Sequence, residues 1–117
     1  MANFDMRGQN VTNQYNAGRD ISFGAVQTSV DLVAELEILN ENFDIAMAAN
    51  IVSEEVATDA KYQVTKAIQS AKKLVPDKKT ILDHLNTAKT YFEGIVAAGS
   101  LVTTLASAID AVHKLFP

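Results

Sequence analysis

The chain contains no cysteine and no tryptophan, and among its 117 residues there are only two prolines and two histidines. Without thiols there are no disulfides, no thiolate metal ligands and no cysteine nucleophile, and such a composition fits a reducing cytoplasm. His84 and His113 form neither an H-x-x-x-H nor an H-E-x-x-H pattern, and no third zinc ligand accompanies them. Asp83 precedes His84, but adjacent residues of a helix point in different directions, so the pair is no dyad. Asp110 and His113 are spaced to meet on one helical face, which predicts a surface hydrogen bond. No glycine-rich phosphate cradle is present: Gly24 in "GAV" and Gly99 in "AAGS" read as turn and cap signals. Serine and threonine are plentiful but lack a nucleophile elbow. These gaps predict a protein that is not an enzyme and that holds no cofactor and no metal.

Positive charge is also scarce. Ten Lys and Arg face fourteen Asp and Glu, for a net charge of −4. Clustered cations are what phosphate contacts require, so nucleic acid is not an expected partner. The first ten residues, "MANFDMRGQN", have neither the basic start nor the apolar stretch of a secretory leader. The sequon Asn10-Val11-Thr12 therefore reads as accidental. Residues 94 to 109 carry no charge, yet they fall short of the roughly 20 apolar residues of a spanning helix. Hydroxyl residues and a Gly-Ser pair interrupt them, which predicts a buried helical hairpin instead of a membrane span. Membrane perturbation by that hairpin is one alternative function; sequestration of a small ligand between subunits is another.

What the chain does have is apolar periodicity. The 48% hydrophobic content suffices for the core of one domain. From about residue 29 onward the apolar positions recur at helical spacing. Leu32, Leu36, Leu39, Phe43 and Ala46 or Met47 make a first stripe, with Ser29 as expected N-cap. Val56, Ala60, Val64, Ala67, Ile68, Ala71, Leu74 and Val75 make a second, capped by Ser53. No Gly or Pro separates the two, so one bent helix competes with two helices. Pro76 ends the second stripe, because its ring and missing donor disfavour a continuing helix. A third stripe runs Ile81, Leu82, Leu85, Ala88, Phe92, Ile95 and Val96, with Gly99 as its C-cap and Ser100 as the next N-cap. The fourth comprises Leu101 or Val102, Leu105, Ile109, Val112 and Phe116. Gly94, Ala97, Ala98, Ala106 and Ala108 would let the last two helices approach closely.

Charge is unevenly spread over these stripes. Residues 28–60 hold eight acidic side chains and no basic one, whereas residues 61–89 hold seven Lys against Asp77 and Asp83. Either the acidic and basic helices lie side by side within one chain, or one subunit's acidic helix docks on another's basic helix.

The start of the chain follows another rule. Over residues 10–24 the apolar side chains Val11, Tyr15, Ala17, Ile21 and Phe23 all fall at odd positions, and every even position is polar or glycine. Period two marks β structure. Fifteen residues exceed an ordinary strand, so Gly18 is read as turning the chain between strands 10–15 and 20–24. An isolated two-stranded piece is marginal in water and exposes both edges. Copies from other subunits would satisfy those edges, and aligned Asn and Gln side chains stack in ladders. The competing arrangement is a hairpin that caps its own bundle through Tyr15, Ile21 and Phe23.

The segment "NQYNAGRDI" resembles the short Asn/Gln–Gly–Asp elements, some described as amyloid-signalling motifs, of bacterial conflict and immune systems. Asn13, Gln14, Asn16, Gly18, Asp20 and Ile21 carry the likeness, and residues 76–116 resemble the helical module often linked to such elements. The resemblance implies self-assembly, and as further partner a signalling or effector protein with a matching motif; it implies no active site. The expected architecture is mainly α: a small three- or four-helix bundle with an N-terminal β-hairpin or β-arch that pairs between subunits. Residues 1–27 would form the oligomerisation segment and 28–117 the bundle. The expected assembly residues are Val11, Asn13, Gln14, Tyr15, Asn16, Gly18, Asp20, Ile21 and Phe23.

Overall fold

The computed structural model describes residues 21–116, which form four helices: α1 (Ser29–Ala48), α2 (Glu54–Ala71), α3 (Lys78–Glu93) and α4 (Gly99–Leu115). Short 3-10 turns stand at Phe23–Ala25 and Val96–Ala98. Asn40 meets Thr65 and Asp44 meets Lys61, so positions that rise along α1 fall along α2. The helices run alternately up and down, with α2 packed on α1 and α3, and α3 on α4. Contact between α1 and α4 is slighter, which leaves a seam on that side of the bundle.

Local chemistry explains each helix end. Thr28, not Ser29, caps α1: its Oγ1 accepts from the Asp31 N–H at 3.1 Å, while Asp31 Oδ2 accepts from the Gln27 N–H at 3.1 Å. That reciprocal pair satisfies two amide donors outside the helical ladder. α1 and α2 are separate helices, and Asn50 is the reason. Its φ of +61° is left-handed. The Ile51 N–H reaches the Ala46 carbonyl and the Asn50 N–H that of Met47, which closes a Schellman turn with Asn where Gly is usual. Ser53 Oγ then accepts from the Val56 N–H at 3.2 Å and starts α2, as the sequence predicts.

Two expected boundaries move. α2 stops at Ala71, before Pro76, so Leu74 and Val75 leave the stripe and stand in solvent. The residues between α2 and α3 must reverse the chain, and their side chains turn away from the core. α3 ends at Glu93 with Gly94 as C-cap, and Gly99 is the first residue of α4 instead of a cap. The intervening 3-10 turn buries Ala98 and points Val96 outward. Nothing lies within 4 Å of a Cβ added at Gly94 or Gly99, so neither glycine serves the close approach expected of small residues, whereas Ala98 and Ala108 are buried in the core.

The core is apolar except for the buried Ser70. Leu32, Leu36, Leu39, Phe43 and Ala46 of α1 are all buried, as the first stripe requires. They face Ala60, Val64 and Ala67 of α2, Ile81, Leu85, Ala88 and Phe92 of α3, and Leu105, Ala108 and Val112 of α4. Full burial of a large apolar side chain is worth about 1.5–3 kcal/mol, so ten such side chains outweigh the surface ion pairs.

Candidate functional site

The sequence places assembly at the amino-terminal segment. Val11, Asn13, Gln14, Tyr15, Asn16, Gly18 and Asp20 lie outside the described residues. Ile21 and Phe23 lie inside them, and both belong to the bundle. Phe23 is buried and Ile21 is half-buried against the same core. Over Phe23–Ala25 the backbone is a 3-10 turn, closed by Ala25 N–H to Ser22 carbonyl and Val26 N–H to Phe23 carbonyl, both at 3.2 Å. The expected strand 20–24 therefore does not extend through Phe23. The turn packs on α4, while the Ser22 N–H donates to Glu35 Oε1 of α1 at 3.0 Å. It thus bridges α1 and α4, whose direct contact is slighter than that of the other neighbouring helices, and the ring of Phe23 is buried in the core.

This contact shifts the boundary of the bundle. Among the described residues, Ile21, Phe23 and Val26 already pack on the core, ahead of the expected division at residue 28. For Ile21 and Phe23, capping of the chain's own bundle is the arrangement observed. Period two could not reveal this, because an odd-position Phe satisfies a strand face and a helical plug equally well.

The charge asymmetry is resolved within the chain. Lys61 Nζ lies 2.9 and 3.0 Å from the two carboxylate oxygens of Asp44, and Lys72 Nζ lies 3.9 Å from Glu37. The acidic face of α1 and the basic face of α2 are therefore neighbours. Each of these pairs is well exposed, so each contributes little beyond register.

The histidines are far apart in role. His84 Nδ1 lies 2.7 Å from Gln63 Oε1, a link between α3 and α2 in which the ring nitrogen donates. His113 is exposed in the last turn of α4. Among the described residues, no group of three or more His, Asp or Glu side chains converges as metal ligands.

One open cleft of about 280 Å³ lies between the start of α1 and the end of α2, lined by Ser29, Val30, Val33, Ala71, Lys72 and Lys73. The sequence offered no signal for it, since its walls come from helices joined only by the fold. The stretch Val96–Leu115 has the length and composition to cross a membrane, yet α4 contributes five buried residues to the bundle.

No family model matches the chain, and neither a curated protein nor a solved structure matches it.

Proposed function

We propose that this protein is a non-enzymatic self-assembly or adaptor module of a bacterial or phage conflict system, oligomerising through β pairing of its amino-terminal segment. The observation that carries the reading is the period-two pattern ahead of the Phe23 turn, residues 10–20, with Asn13, Gln14 and Asn16 clustered between the odd-position Val11, Tyr15 and Ala17. Such a segment gains its hydrogen bonds most completely from aligned copies of itself. The helices bury their own stripes within a single chain, so they need no partner to fold. The partner is a second copy, or a signalling or effector protein bearing a matching motif.

The test is a chain lacking residues 1–20, which keeps Ile21 and Phe23 in place. Its mass by light scattering is compared with that of the full chain, and its helicity by circular dichroism. The expected result is a folded monomer from an oligomeric parent. An unchanged oligomeric state overturns the reading. Gly18→Val in the full chain should act in the same direction, because a turn glycine replaced by a β-branched residue introduces strain in every copy.

A further inference from the structure

The turn between α2 and α3 reads "KKLVPDKK", residues 72–79, and it is the most exposed apolar feature of the described surface. Leu74 and Val75 are 103% and 83% exposed, and Val30 at the start of α1 is 76% exposed beside the adjoining cleft. Lys72 and Lys73 precede this apolar apex and Lys78 and Lys79 follow it. The carboxylates at this end, Asp31, Glu35, Asp77 and Asp83, keep their charge and offset part of that of the lysines, but their oxygens are held by neighbouring donors. Asp77 accepts from the first turn of α3, and Asp31 from the Gln27 N–H. Lys79 pairs with Asp83, but Lys72 reaches Glu37 only at 3.9 Å. The up-and-down order brings Lys114 of α4 to the same end. The opposite end carries exposed Glu54, Glu55 and Glu93. A chain with net charge −4 thus gathers Lys72, Lys73, Lys78, Lys79 and Lys114 at one end around an apolar tip, where they outnumber Asp31, Glu35, Asp77 and Asp83.

We propose that this pole docks on an anionic lipid bilayer, with Leu74 and Val75 entering the interfacial layer and the lysines meeting lipid head groups. Leu74 and Val75 protrude from a turn with lysines on both sides, and two aliphatic side chains fall far short of the area of a stable protein interface. A deformable surface accepts two protruding aliphatic side chains where a rigid partner would need a matching pocket. Each lysine near an anionic leaflet raises partitioning roughly fivefold, an attraction that salt screens. Contact is peripheral, and the four helices stay folded. The inference stands on a surface separate from the amino-terminal segment and does not depend on the assembly proposed above.

The experiment is sedimentation of the full chain with phosphatidylcholine vesicles, with and without phosphatidylglycerol. Two further chains, Lys72→Glu/Lys73→Glu and Leu74→Ser/Val75→Ser, are run beside it after circular dichroism confirms their folding; all four positions are exposed. Expected is binding to the anionic vesicles alone, weakened about tenfold or more by the charge reversals and by the loss of the apolar tip. Removing residues 1–20 should leave that binding in place. No binding to anionic vesicles overturns the proposal and leaves the tip to an acidic protein partner. Binding equally strong to neutral vesicles, or undiminished in either variant, overturns it as well.

Discussion

Phe43 of α1 and Phe92 of α3 meet in the core near the carboxy-terminal ends of both helices, with ring centroids 5.1 Å apart and planes inclined at 43°. Both side chains are fully buried, and they join two helices that are not neighbours around the bundle. Removing either ring should cost about 3–5 kcal/mol, because lost transfer energy adds to an unfilled cavity. A double-mutant cycle of Phe43→Ala and Phe92→Ala by urea denaturation should give a coupling of about 0.5–1.5 kcal/mol. Strict additivity would show that the rings act only as separate fillers.

Phe23 ties the amino-terminal segment to the α1–α4 seam. Phe23→Ala should destabilise the bundle by about 3 kcal/mol or more. Truncation before Ile21 should leave the urea midpoint nearly unchanged, while truncation before residue 28 should lower it. Equal midpoints for the two truncations would show that Phe23 contributes nothing to the core.

Asn50 stands in the left-handed region at the α1–α2 turn. Asn50→Gly should be neutral within a few tenths of a kcal/mol, and Asn50→Val should cost about 1–3 kcal/mol through backbone strain. Thermal unfolding of both chains makes the comparison.

Asp77 accepts from the Thr80 hydroxyl at 2.8 Å and from the Thr80 and Lys79 amides. The Thr80 hydroxyl first, then these amides, hold its carboxyl below the usual carboxylate range. A lowered folded pKa means that folding favours the ionised form. The stabilisation is complete above the unfolded value of about 4 and is lost as pH falls through the folded one. Asp77→Asn should therefore melt below the parent chain at neutral pH, with the gap narrowing on acidification. A gap independent of pH would assign the difference to something other than the carboxylate charge.

Ser70 is 98% buried, at 2% relative exposure, and its Oγ finds no hydrogen-bond partner among the described residues. Burying an unpaired hydroxyl is unfavourable, so Ser70→Ala should be neutral or stabilising by up to about 1–2 kcal/mol. Denaturant titration at constant m-value is the measurement; clear destabilisation would show that the hydroxyl is satisfied in solution.

Much of the bundle was determined by the sequence alone, because helical periodicity is a local property. The spacing of Leu32, Leu36, Leu39 and Phe43 marks a buried face whatever lies opposite it. Ser53 announces a helix start through a bond three residues long. Other features depended on the fold. The left-handed state of Asn50 is not written in its identity, since Asn also adopts ordinary conformations. Leu74 and Val75 continue the periodicity of α2 on paper, but the chain must reverse there, and the reversal sends them into solvent. Phe23 fits a strand by parity; only the seam between α1 and α4, two helices brought together by the last turn of the chain, decides that its ring is buried. The lysines around Leu74 and Val75 are contiguous in the sequence, but only tertiary packing brings Val30 of α1 and Lys114 of α4 to the same end.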